Sequence, residues 1–323
     1  VVIDAKTDVT NEGGTSFGIK ATGNTQVEFK KDVTIKSNNI GKYPSEWSSA
    51  GIYAAVNFTA PASSNRAATV SIDGRYAYEG NGVGAFVNGE GSTINLNGSV
   101  DIKANNDNLA ALQTQNGTIN VNMANPGKGN VVSINGNAFV DAGSANNGNK
   151  VVTSAININM DTADSVWTGV GYNQFPIEGI TDATGTYKGE LNLQLSNGAT
   201  WNNEKAGEVV TPWSSNMLPF DNYGSHITKF TGGSTTSAGN IYQNDSNALT
   251  IDNYSGVTDV VYATNANGDF SAYGDTIIKH AETGSAINLI TTAPTSVTAD
   301  SITSVLTALA GKLTYVNYAT DNG

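Results

Sequence analysis

The sequence predicts an all-β chain wound as a parallel β-helix with long loops. Three observations carry this expectation. Short strands with apolar residues at every second position occur along the whole chain. They recur as sets of similar composition. Asn-Gly, Gly-Asn and Gly-Ser steps separate them. Only 14% of residues are charged, and long runs of Leu, Glu, Lys and Arg are missing, so the raw material of helices is scarce.

The sets follow one another in order. "SFGIKAT" leads to "TQVEFK" and "DVTIKS". "SAGIYAAV" leads to "ATVSID" and "RYAYEG". "GVGAFVNGEG" leads to "STINLNGSVDIKA". "LAALQTQN" leads to "GTINVNM" and "NVVSINGNAFVDA". Each is a small-residue strand followed by one or two V/I/L-x-V/I/L strands and an Asn/Gly-rich turn. Ile19, Ile52, Phe86 and Leu112 open successive sets at intervals of roughly 25–35 residues, a period that signals repeat architecture. A single coil cannot bury its inward face, so coils must stack. Roughly ten coils are expected, making a rod on the order of 50 Å long at about 4.8 Å per coil. A β-sandwich, the competing all-β reading, would prefer direct hairpins and fewer near-identical sets.

Further along, "SAININM", "ELNLQL" and "ALTIDNY" repeat the alternation, and two strands are followed by lone tryptophans. In "AININMDTADSVWTGV" and "GELNLQLSNGATWNN", Trp167 and Trp201 stand among small polar residues. Ala199 shares a face with Trp201, and an inward indole would fill the wide corner of a coil. Both tryptophans are therefore assigned to the core rather than to a sugar-stacking platform. The one helix expected runs from Ser301 to Ala310 and stops at Gly311; "KLTYVNY" then resumes a strand.

The same stretches resemble a known family. "ELNLQLSNGATWNN" and "DSVWTGV" are similar to the β-helical passenger domains of autotransporters, the type V secreted proteins of Gram-negative outer membranes. "NALTIDNYSGVTDVVYATN", from Asn247 to Asn265, resembles the late-passenger segment of self-associating adhesins of the AIDA-like type. The resemblance implies a right-handed helix, a signal peptide upstream and a membrane β-barrel downstream. It implies display at the cell surface after export through the outer membrane. Residues 1–265 are then the β-helical passenger. Residues 266–323 are a C-terminal passenger region, either a folding cap or the start of a further module. The chain begins and ends in mid-pattern and is expected to be part of a longer protein.

Composition narrows the partners. The net charge of −12 and pI of about 4.5 disfavour nucleic acid and anionic membrane, since phosphates would be repelled. A membrane contact is expected only through the barrel that the resemblance implies. No Cys is present, which excludes a disulfide-stapled scaffold and suits a chain threaded unfolded through a barrel.

Motifs for chemistry are sparse, and no cofactor, metal or catalytic residue is expected. His226 and His280 are the two histidines, and they lack the spacing of a zinc-binding pair. "GTSFG", Gly14 to Gly18, matches the outline of a nucleophile elbow but precedes a strand where a helix is needed. "GNGVGA" lacks the helix that a dinucleotide fingerprint requires. Parallel β-helices that cleave polysaccharides use clustered carboxylates, and Asp73, Asp101 and Asp141 fall near strand ends. These read as turn and solubilising charges. "NANGDFSAYGD", Asn265 to Asp275, offers oxygens suited to Ca²⁺ but reads as a plain turn. The N-x-S/T steps at Asn57, Asn97, Asn116, Asn244 and Asn253 are a by-product of the turn composition.

Binding is expected in two places. Three long loops carry aromatics: Tyr43 and Trp47 in 39–49, Tyr172 and Phe175 in 171–188, and Trp213, Phe220 and Tyr223 in 208–225. Long loops on a rigid scaffold are where recognition usually sits. The second place is the polar strand faces. Thr34, Lys36, Ser71, Asp73, Asn95, Asn97, Asn120 and Asn122 would stack as ladders along the rod and zip two rods together. The function expected is an adhesin that mediates attachment to a host surface protein or glycan, or to the same protein on a neighbouring cell, with aggregation and biofilm formation as outcomes. The alternatives are a carbohydrate-active β-helix enzyme and an inert stalk.

Overall fold

The computed structural model describes residues 2–5, 16–37, 49–57, 59, 66–80, 82–104, 110–141, 151–173, 180–182, 185–204, 224–244, 246–263, 269–291 and 299–317. The chain is a parallel β-helix. Three sheets build it. Sheet A has ten strands, from Val2–Ala5 to Ala286–Thr291. Sheet B has six, from Ser16–Thr22 to Gly171–Asn173. Sheet C has eleven, from Gln26–Phe29 to Leu313–Asn317, one of which, Ile180–Asp182, is an antiparallel appendage on Gly185–Leu195. Every other strand pairing between the sheets' neighbours is parallel. The ten strands of sheet A match the number of coils expected from the repeats.

One coil shows the winding. Val83–Asn88 lies in sheet B, Thr93–Leu96 in sheet C and Val100–Ala104 in sheet A. The next strand, Ala110–Gln115, then pairs with Val83–Asn88. Alternation does the rest, because inward residues of the three sheets converge on one apolar core. Val70, Ile94, Ile119, Ile156 and Leu191 stack rung on rung from sheet C, all with no exposed surface.

Ile19, Ile52 and Leu112 occupy the inward position of sheet B, but Phe86 does not. Ile52 pairs with Ala85, and Phe86 points outward at the rung of Tyr53 and Gln113. Core volume explains this. Tyr76 and Tyr78 of sheet A are buried at the adjoining corner, and the Tyr76 hydroxyl donates to the Gly84 carbonyl at 2.6 Å. A Cβ on Gly51 would collide with the Tyr76 hydroxyl and the Tyr78 ring. Sheet B therefore keeps its inward positions small where sheet A is large.

Trp167 and Trp201 answer to the same economy. Both have no exposed surface, and they pair directly across sheet A. Their rings are stacked 4.8 Å apart at 7°. Each indole N–H donates to a glycine carbonyl one coil earlier, Trp167 to Gly136 at 3.0 Å and Trp201 to Gly169 at 2.9 Å. A buried Trp needs such an acceptor. Gly169 has φ of +151°, and a Cβ there would strike the Gly136 backbone, so only glycine supplies this acceptor.

Among the described residues the last strand of sheet B is Gly171–Asn173, while sheets A and C have strands after residue 265 in the same stacks. A polar cluster fills the interior beside Gly171–Asn173. Asn173 donates to the Gly189 carbonyl and to Thr228, Ser225 donates to Asn203, and Asn203 donates to Gln243. These side chains are buried but paired, which removes the cost of leaving them dry. Beyond it, Phe230 stacks on Tyr254 at 5.6 Å. The helix, α1 (Ala299–Ala310), starts two residues before the expected Ser301. It inserts Val305 and Leu309 into the core, one turn apart, and leaves Ile302 and Leu306 exposed.

Candidate interaction surface

Of the seven aromatic residues expected in binding loops, Tyr172 lies among the described residues. Tyr43, Trp47, Phe175, Trp213, Phe220 and Tyr223 lie outside them. Tyr172 sits on the strand Gly171–Asn173 and is half-buried. It stacks on Phe139 at 5.3 Å and 14°, one rung away on the outward face of sheet B. Tyr53 contacts Phe17 at 5.0 Å and Phe86 at 5.4 Å on the same face. Sequence reading missed this outward aromatic column. Its signal was the aromatic one step after each inward residue, in "GIY", "GAF", "NAF" and "VGY".

Asp141 closes the strand that carries Phe139. It is 5% exposed, and burial pushes its carboxyl up from 3.8 to about 7. Asp73 and Asp101 sit elsewhere. Asp73 accepts from Asn97 at 2.8 Å and Lys30 at 2.9 Å, and these bonds, that from Asn97 foremost, hold it below the usual carboxylate range. Asp101, on sheet A, is bound by the Arg75 guanidinium at 2.5 Å. The three carboxylates thus occupy three separate settings and form no common cluster.

The outward face of sheet C carries the most regular polar array. Asn95 donates to Ser71 at 3.1 Å, Asn120 to Asn95 at 2.9 Å, Asn157 to Asn120 at 2.8 Å and Asn192 to Asn157 at 2.8 Å. All five are half-buried, in register, and joined in one direction. Each amide spends one N–H on its neighbour and keeps the other for water or a partner. Thr69, Thr93 and Thr118 form a parallel column two residues away along each strand. The recurring T-I-N spelling is what places them there. Thr34 and Lys36 lie on sheet A instead.

Asn122 does not belong to a surface ladder, although its spacing suggested so. It has no exposed surface and adopts φ of 54°, where the chain turns from sheet C towards sheet A. Its side chain donates to the Asn159 carbonyl at 3.3 Å and accepts from Asn130 at 2.9 Å. Asn tolerates the left-handed region because its amide bonds locally. The change of direction, not strand alternation, sets this residue's environment.

His226 meets Asp252, a pairing that the sequence did not suggest. Its Nε2 lies 2.8 Å from Asp252 Oδ2, and Lys279 Nζ lies 2.9 Å from Oδ1. Asp252 is 2% exposed. Burial pushes its carboxyl up, but the bonds from His226 and Lys279 outweigh that and hold it below the usual range. Three successive strands of sheet C are thereby bridged. In the turn considered for Ca²⁺, Asp269 accepts from Ser271, and Asp275 pairs with Lys312 at 3.2 Å.

Comparison with known proteins gives no match to a family of sequences, to a curated protein or to a solved structure. The surface chemistry of the rod therefore carries the functional argument.

Proposed function

We propose that the chain is the extracellular rod of an outer-membrane adhesin of the autotransporter type. It holds a bacterium to a host surface protein or glycan, or to the same protein on a neighbouring cell. The observation that supports this reading best is the Ser71–Asn95–Asn120–Asn157–Asn192 ladder. A rigid array of outward amides at rung spacing offers a second rod, or a glycan chain, many equivalent donors and acceptors. A net charge of −12 keeps the rod from nucleic acid and anionic lipid. No cofactor or catalytic residue enters this role.

The test is clumping of cells that display the chain through a membrane barrel, together with their attachment to host cells. Thr93→Glu with Thr118→Glu places like charges beside the ladder while leaving its hydrogen bonds in place. Dispersed clumps with unchanged circular dichroism support contact through sheet C. Trp47→Ala and Trp213→Ala form the second arm. If they abolish host attachment and spare clumping, the loops hold the receptor site, each side chain contributing about 1–3 kcal/mol. Attachment and clumping that survive both arms reduce the rod to a stalk.

A further inference from the structure

The cations of this acidic chain are unevenly placed. Residues 1–104 hold nine of the 16 Lys and Arg but only ten of the 28 Asp and Glu. The first third is thus nearly neutral, and the remainder carries almost the whole negative charge. Several of those cations meet on the outward face of sheet A. Lys36, Glu79 and Lys103 are successive rungs of one column, and Thr34, Ala77 and Asp101 are the rungs of the next.

Ala77 is the small member of this array, and it leaves a hollow of about 170 Å³ lined by Thr34, Lys36, Arg75, Glu79, Asp101 and Lys103. The walls are built. The Asp32 carboxylate accepts from the Arg75 backbone N–H at 2.8 Å, and the Arg75 side chain is fixed on Asp101. Asp101 is therefore neutralised, and Arg75 is held in place. Lys36 and Lys103 are exposed and form no ion pair among the described residues. Two rungs separate them, about 9.6 Å at the usual strand spacing.

We infer that this face of sheet A binds an acidic polysaccharide, with Lys36 and Lys103 gripping anionic groups on alternate sugars across the hollow at Ala77. Two rungs are on the scale of one disaccharide repeat, so a sulfate or carboxylate on every second sugar meets both ammonium groups. The neutral sugar between them lies over Ala77, against Thr34. The column continues past Lys103 as Asn135, Thr168 and Asn202, hydrogen-bonding groups that extend the track along the rod. Glu79 stands between the two lysines. It opposes the bound anion and tunes the site towards weak, reversible contact. The inference rests on the adhesive reading for its purpose, but the binding is measurable without it.

The test is calorimetric titration of the purified chain with a sulfated hexasaccharide, a uronate hexasaccharide bearing carboxylates alone, and neutral dextran oligomers. Binding to one or both acidic probes, weakening as salt rises, is expected, with none to dextran. Sulfated probes stand for animal-surface glycans and uronates for capsular or plant polymers, so the stronger arm names the source. Lys36→Ala with Lys103→Ala should lose at least about tenfold in affinity. Glu79→Gln should tighten binding by a few fold, as expected for an exposed charge one rung away. Lys229→Ala, on the outward face of sheet C, should bind as the parent does. Absence of binding to both acidic probes overturns the inference, as does a double variant that binds like the parent or a Lys229→Ala variant that loses as much. If clumping persists in cells whose rod binds no acidic glycan, this site fails and the adhesive role stands.

Discussion

Asp141→Asn is the substitution whose effect can be worked out most fully. The carboxyl ends a strand of sheet B beside the outward aromatic column and is 5% exposed. Burial alone raises its pKa from 3.8 to about 7. The folded state therefore keeps a proton that the unfolded chain releases. Between about pH 4 and pH 7 the folded form binds more protons, so stability falls as pH rises through that window. Each tenfold change in proton concentration is worth about 1.4 kcal/mol, which bounds the full loss at about 4 kcal/mol. Asparagine does not titrate and has nearly the same shape. Urea unfolding of both proteins at pH 4.5 and pH 8 measures the effect. The variant should gain on the parent by about 2–4 kcal/mol between those two values, because all other titrating groups cancel in the difference. Parallel pH dependences would show that the Asp141 carboxyl is solvated and that the outward face of sheet B is open at its end.

Other expectations are briefer. Trp201→Ala should cost about 3–5 kcal/mol in urea unfolding, through the lost stack on Trp167 and the cavity between two coils; a loss under about 1 kcal/mol would place the indole outside the core. Trp201→Phe should recover much of this but leave the Gly169 carbonyl unpaired, at about 1–3 kcal/mol. Asp252 is held below its ordinary range, so its bridge to His226 and Lys279 is fully present above about pH 4 and lost as pH falls through the lower folded value. Asp252→Asn should accordingly destabilise the rod at pH 7 and converge with the parent in strong acid, and an equal deficit at both values would contradict the bridge. Asn120→Ala should cost about 1 kcal/mol or more, by breaking the ladder on both sides at once.

The fold was legible because its signal is periodic. Alternation in "TINL", "TINV" and "AININM" fixes which residues face the core, and equal spacing makes their neighbours identical in kind. The same repetition made Ser71, Asn95 and Asn120 of the ladder readable before any coordinates, though not its continuation through Asn157 and Asn192, and it showed the burial of Trp167 and Trp201. What escaped depends on neighbours far away in sequence. Phe86 faces out because Tyr76 and Tyr78 have taken the core volume at that corner. Asn122 is buried because the chain turns there. His226 and Asp252 are 26 residues apart and meet through the pairing of two strands that no local pattern announces.

The ladder also sets how strong rod-to-rod contact can be. Five rungs, from Ser71 to Asn192, offer one amide or hydroxyl each. Exposed hydrogen bonds yield at most about 1 kcal/mol net apiece, so one face supplies no more than about 5 kcal/mol. Bringing two free rods together costs about 4–15 kcal/mol in lost motion. A single pair is therefore close to break-even, and the purified chain should sediment as a monomer at micromolar concentration. Many rods fixed on one surface meet many on another at high effective concentration, and there the same contacts suffice. Beads coated with the chain should then clump. Each rod carries −12, so added salt should strengthen the clumping by screening repulsion. Salt has the opposite sign for an acidic glycan held by Lys36 and Lys103. The two surfaces can thus be told apart in one titration of salt: clumping driven by sheet C rises while glycan binding on sheet A falls. A tight dimer in solution would refute the weak-ladder account, because nothing in the polar face of sheet C could hold it.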